Sequence, residues 1–164
     1  MLPLDPAPAS SFFLYNYDVD RDDRPGLYIQ KGGSGAVETD VTKGQAWRTP
    51  ATPVSVQISG IVTVEIWSAM KDFQPGKRGS VTVYLRDFDG AGYGAIAQQT
   101  LTYLDWQGAN KYWTLKTFAL GVGSYVLAPG HSLELKLVVE EDSDDDMWFA
   151  YDTAWAPSRI KINN

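Results

Sequence analysis

The segment His131–Glu140, HSLELKLVVE, alternates with period two. Leu133, Leu135, Leu137 and Val139 fall on one face, and Glu134, Lys136 and Glu140 on the other. Successive side chains of a strand point to opposite faces, so such a segment buries one side of a sheet and leaves the other wet. The pattern recurs in Ser80–Phe88, with Val81, Val83 and Leu85 inward and Thr82, Tyr84 and Arg86 outward. In Gly60–Met70 it places Val62, Val64 and Ile66 inward and Thr63, Glu65 and Trp67 outward. No segment carries the spacing of an amphipathic helix. Chains of this kind bury their apolar faces sheet against sheet.

Further short runs of β-branched and aromatic residues mark strands at Ser11–Tyr17, Gly26–Gln30, Gln45–Thr49, Val54–Ile58, Ala95–Tyr103, Tyr112–Leu120, Tyr125–Leu127, Met147–Asp152 and Ser158–Ile162. Their number, roughly ten, and the turn residues between them predict a two-sheet antiparallel sandwich. The glycine-rich segments Lys31–Ala36 and Asp89–Ala95 read as surface loops. With 164 residues the chain suits one domain, residues 11–164. Residues 1–10, MLPLDPAPAS, read as a Pro-rich linker or arm. They lack the basic start and apolar run of a secretory signal, so the chain reads as a mature or excised piece of something longer.

A net charge of −6 argues against nucleic acid as a partner, because phosphate neutralisation needs clustered Lys and Arg. No apolar run approaches the ~20 residues of a membrane-spanning helix, so no membrane insertion is expected. The chain has no cysteine, which excludes disulfides, thiolate metal sites and Cys nucleophiles.

The acidic residues are concentrated. Asp18, Asp20, Asp22 and Asp23 crowd one stretch, and Glu140, Glu141, Asp142, Asp144, Asp145 and Asp146 another. Asp18, Asp20 and Asp22 repeat as D-x-D-x-D, the opening of an EF-hand-like loop. Asp23 stands where that motif needs Gly, Ile29 where it needs Glu, and no helices flank it, so this is not an EF-hand. Calcium takes about 6–8 oxygen ligands, and the remainder would come from the far end of the chain, with Asp146 and Asp152 as candidates. The expected cofactor is a structural Ca²⁺. A solvated acidic turn is the simpler alternative.

Catalytic signatures are sparse. His131, the one histidine, reads as an ordinary residue at a strand start. Glu65, Asp87 and Asp105 are isolated acids without the paired spacing of a glycosidase. The glycines Gly90–Gly94 precede a strand, so they do not form a phosphate-cradling loop. The expectation is a module that is not an enzyme, with a polysaccharide hydrolase or lyase as a minor alternative. Aromatic residues reach 13%, with six Trp and nine Tyr. Trp47, Trp113, Trp148, Phe149 and Tyr151 are assigned to packing. Trp67, Tyr93, Trp106 and Trp155 are candidates for an exposed ligand-binding or assembly surface.

The D-x-D-x-D loop, the central SGIVTVEIW and the terminal DMWFAYDTAWAPSRIKI together resemble calcium-bearing jelly-roll modules. These include the galactose-binding-like and carbohydrate-binding modules of bacterial exported proteins. Strings such as NYDVDRD, WRTP, WSAMKDF, MWFAYD and PSRI are also similar to uncharacterised jelly-roll segments of bacterial exported or surface proteins. The resemblance implies a jelly roll and a metal role for Asp152 and Asp18. It also implies an extracellular or cell-surface setting, with a glycan or cell-surface polymer as partner. The alternative is a structural subunit that contacts copies of itself in a filament or surface layer, its N-terminal arm adding a strand to a neighbour's sheet.

Overall fold

The computed structural model describes residues 9–13, 27–72, 76–104, 106, 114–150 and 157–163. Among these, ten strands and one 3₁₀ turn, Gly35–Val37, make up the regular structure. The strands are β1 (Ala9–Phe13), β2 (Leu27–Ile29), β3 (Gly44–Arg48), β4 (Val56–Met70), β5 (Arg78–Phe88), β6 (Tyr93–Leu104), β7 (Thr114–Leu127), β8 (Ser132–Val139), β9 (Met147–Phe149) and β10 (Arg159–Asn163).

Their pairing is nested. β1 pairs with β10, β2 with β9, β3 with β8, β4 with β7 and β5 with β6, all antiparallel. Further pairing of β4 with β9 and β10, and of β5 with β8, rolls this nest into two sheets. One sheet has four strands in the order β3-β8-β5-β6. The other has six, with β7 on one side of β4 and with β9 and β10 on the other, continued by β2 and β1. This is the jelly-roll form of the antiparallel sandwich. Ala9 and Ser10 of the expected arm, with Ser11–Phe13 of the strand expected after it, pair with this chain's own β10.

The alternation read from the sequence sets the core. Val62, Val64, Ile66, Val81, Val83, Leu85, Leu133, Leu135, Leu137 and Val139 are all buried in one cluster between the sheets. Burying each such side chain contributes about 1.5–3 kcal/mol.

Two expectations are corrected. First, segments expected as separate strands merge. Val56–Ile58 of one segment and Gly60–Met70 lie in β4, and Thr114–Leu120 of another and Tyr125–Leu127 lie in β7. Gly60 and Gly123 face each other across this ladder with φ of 71° and 69°, and the register shifts beside them. Glycine adopts that backbone freely, so the residues that looked like strand breakers make a bulge instead. Second, β8 has no wet face, because all its residues are buried.

Candidate functional site

The outer face of the four-stranded sheet is covered by the loop that joins β2 to β3. Gly33 N–H bonds the Val139 carbonyl at 3.1 Å. A Cβ on Gly33 would sit 2.9 Å from the Lys43 carbonyl oxygen and even closer to Val138, so only glycine permits this approach. Val138 is thereby buried on what would otherwise be a solvent face. Farther along, the loop borders a half-open cavity of about 680 Å³, lined by residues that include Arg48, Arg86, Glu134, Lys136, Tyr84 and Tyr93.

Strand register builds the site. Glu134 on β8 pairs with Arg48 on β3 and with Arg86 on β5, so three charges stand in one cross-strand row. In the next row Lys136 pairs with Ala46 and Tyr84. The β5–β6 register shifts between Leu85 and Arg86, which brings Ala95 opposite Arg86 and leaves Ile96 as the extra residue. Bulges of this kind re-aim side chains and recur beside functional sites.

Arg48 donates to Glu134 Oε2 from Nη2 at 2.8 Å and from Nε at 3.1 Å. Arg86 Nη2 donates to Glu134 Oε1, and its Nη1 to the Ala36 carbonyl. Lys136 Nζ donates to the Glu38 carbonyl at 2.6 Å. Two cations therefore hold the covering loop by its backbone. Aromatic rings stack on the guanidiniums, Phe88 3.5 Å from Arg48 and Tyr93 4.0 Å from Arg86. Arg48 Nη2 also donates to the Tyr93 hydroxyl at 3.1 Å.

The site is short of negative charge. Glu134 is 1% exposed, and Arg86 and Lys136 are each 8% exposed. The other lining carboxylate, on Glu38, accepts bonds from the Ser34 and Asp40 N–H groups of its own loop. Burial pushes the Lys136 ammonium below its ordinary pKa and repulsion from Arg86 adds to this, against the opposing pull of Glu134 and Glu38. Among the described residues the buried Arg86 Nε has no hydrogen-bond partner. The arrangement offers spare donors and positive charge in a partly desolvated cavity, where hydrogen bonds to charged groups are strong.

Of the candidate site residues that are described, Tyr93 lines this cavity, and Trp67, Trp106 and Asp146 do not. Tyr93 is 52% exposed at the rim of the cavity. Trp106 is corrected: it is fully buried, so it offers no exposed platform. Its indole N–H bonds Ser68 Oγ at 2.9 Å, and its ring meets Tyr103 edge-on at 5.7 Å. Trp67 is half-buried, paired across strands with Leu115. Asp18, Asp20, Asp22, Asp152 and Trp155 lie outside the described residues, as does Asp105.

Asp146 is engaged by protein donors. Its Oδ2 accepts from the Tyr28 hydroxyl and its Oδ1 from Lys31 N–H at 3.0 Å, with Lys71 Nζ 3.9 Å away. Burial and this bond to Asp146 raise the Tyr28 pKa well above its ordinary value. Asp145 is occupied by Lys77 Nζ at 2.9 Å and Asp72 N–H at 3.1 Å, and Asp144 by Arg78 N–H at 2.5 Å. The described residues contain no group of three or more His, Asp or Glu placed to hold a metal.

The isolated acids are likewise paired. Glu65 lies 2.6 Å from both Arg159 Nε and Lys161 Nζ, and these bonds lower its pKa despite its burial. Asp87 accepts from Tyr125 at 2.8 Å and faces His131 Nδ1 at 2.8 Å, joining the sheets at one end of the sandwich.

The cavity was not read from the sequence. Glu134, Lys136 and Arg86 were placed on outward faces, but which strands align and what covers them depends on distant parts of the chain. The tight glycine at Gly33 was the available signal.

No helix among the described residues is long and apolar enough to cross a membrane. No protein-family model matches the chain, and no curated protein matches it. Solved structures do. An aminopeptidase from the marine sediment archaeon Thaumarchaeota archaeon superposes with a TM-score of 0.68 at 10% identity, over 93% of this chain and 36% of that one. An α-amino acid ester hydrolase gives 0.63 at 12% identity, over 81% and 27%. A CocE/NonD family hydrolase from Staphylococcus aureus gives 0.56 at 9%, over 84% and 36%. The chain thus spans about a third of the length of these proteins. At such identities the likeness shows the β-sandwich fold. It does not show the galactose-binding-like or carbohydrate-binding resemblance. These three neighbours are hydrolases, and that finding overturns the expectation of a module that is not an enzyme.

Proposed function

We propose that this chain is a β-sandwich domain of a hydrolase and that its cationic cavity holds an anionic group of the substrate or product. The observation that carries the reading is the Arg48–Glu134–Arg86 row with Lys136 beside it. Cations outnumber carboxylates in a half-open cavity, in a chain whose net charge is −6. The cavity has the volume of small-molecule sites, about 300–1,000 Å³. The fold likeness to hydrolases supports the enzymatic setting. The calcium and glycan readings are not carried forward, since Asp146 is engaged by protein donors and Trp106 is buried.

Two measurements test the proposal. Thermal melts with small organic and inorganic anions, each beside a neutral counterpart, should show a saturable rise with some anions only. A flat response to every anion refutes the cavity assignment. Acid release from aminoacyl esters and anilides, with a stabilising anion as competitor, tests the hydrolase assignment. Turnover that ignores that anion refutes the link between cavity and reaction.

A further inference from the structure

The chemical class of the anion follows from the charge balance of the lining and the small residues beside it, on the premise that the cavity is an anion site. Arg86 donates from Nη1 to the Ala36 carbonyl and from Nη2 to Glu134, and its buried Nε–H has no partner among the described residues. Lys136 has three N–H donors, and its hydrogen bond among these residues is to the Glu38 carbonyl. Arg48 is held by Glu134 and Tyr93. Each buried cation is flanked by a small residue. Ala95 stands opposite Arg86, and Ala46 opposite Lys136. Space beside the cations is therefore bounded by methyl groups and by the Tyr93 ring.

We propose that the cavity binds a small organic monocarboxylate, its charge held by the Arg86 guanidinium and the Lys136 ammonium and its carbon portion lying against Ala46, Ala95 and Tyr93. A carboxylate brings one negative charge, which matches the surplus of three cations, Arg48, Arg86 and Lys136, over two carboxylates, Glu38 and Glu134, in the lining. A phosphate dianion exceeds that surplus, and its second charge would press against the buried Glu134. Repulsion between Lys136 and Arg86, which lowers the lysine's pKa, is relieved by one negative charge between them.

Isothermal titration of the whole chain with N-acetyl-L-leucine, N-acetyl-L-leucinamide and inorganic phosphate tests this. The acid and the amide differ only in the group at issue. The acid should bind saturably, with the amide and phosphate each weaker by about tenfold or more. Lys136→Met keeps the aliphatic stem and removes the charge, and should weaken the acid by a similar factor. Its melting midpoint should be no lower than that of the parent chain, since the change removes a buried ammonium. If that variant does not fold, Lys136→Gln takes its place, and salt dependence of acid binding to the parent chain gives a second readout. Equal binding of acid and amide, or unchanged acid binding in the lysine variant, overturns the proposal. Phosphate binding without acid binding also overturns it, while leaving the cavity an anion site. No binding of either anion removes both readings.

Discussion

The burial of Trp106 makes a quantitative demand on a residue distant in sequence, Gly79. A Cβ built on Gly79 would lie 2.8 Å from Trp106 Cδ2 and closer still to Cε3. Neither side can yield easily. Gly79 is held in the ladder opposite Tyr103, and the indole is pinned by its bond to Ser68 and its contact with the Tyr103 ring. Gly79→Ala should therefore cost about 2–3 kcal/mol by overpacking. Trp106→Ala should cost about 4 kcal/mol, from lost burial, the cavity left behind and a hydrogen bond worth about 1 kcal/mol. If the two effects were independent, the double variant would lose about 6–7 kcal/mol. With the indole gone the added methyl meets no clash, and alanine is better than glycine in a strand by some tenths of a kcal/mol. The double variant should thus lose no more than Trp106→Ala alone, a coupling of about 2 kcal/mol or more. Equilibrium urea unfolding followed by far-ultraviolet circular dichroism measures all four corners of the cycle. Additivity within about 0.5 kcal/mol would refute the placement of Trp106 against β5.

Glu134→Gln leaves Arg86 buried with a neutral partner and should cost about 3–5 kcal/mol in urea unfolding; a loss below about 1 kcal/mol would show that the row is solvated. Lys116 and Lys136 both have pKa values lowered by burial from 10.5, so below their folded pKa values the charged forms disfavour the fold. Between those values and 10.5 the unfolded chain binds more protons, and stability should rise with pH. Tyr28, Tyr84 and Tyr125 have raised pKa values and should reverse the trend above about pH 10, where the unfolded tyrosines ionise first. Urea midpoints from pH 8 to 11 test this, and Lys116→Met should flatten the rising limb.

The strand faces were legible because alternation is local. Leu133, Leu135 and Leu137 announce the core without reference to any other segment. The roll was not legible in the alternation and was expected only from the jelly-roll resemblance, because it rests on pairings such as β2 with β9 that join residues far apart in the chain. Glycine misled in two ways. Gly60 and Gly123 read as strand ends, yet they face each other at positive φ and carry the longest ladder through a bulge. Gly33 read as part of a flexible surface loop, yet its missing side chain is what lets that loop lie on β8. Trp106 misled because its neighbours are polar. Its burial depends on the space left by Gly79, and an isolated glycine inside a strand is a sign of such close approach.

The cross-strand row also bears on why charge is kept on a covered sheet face. Replacing a buried ionic cluster by apolar residues of similar volume is often neutral or stabilising, so stability alone gives little reason for Arg48, Glu134 and Arg86 to stand there. A purely structural cluster would at least balance its charges and fill its space. This one does neither, since the cations exceed the carboxylates and alanines flank two of them. The covering loop accepts hydrogen bonds from Arg86 and Lys136 through backbone carbonyls, which carry no formal charge. Positive surplus, an unpartnered buried donor and unfilled volume coincide at one place, and an anionic ligand supplies what each of them lacks.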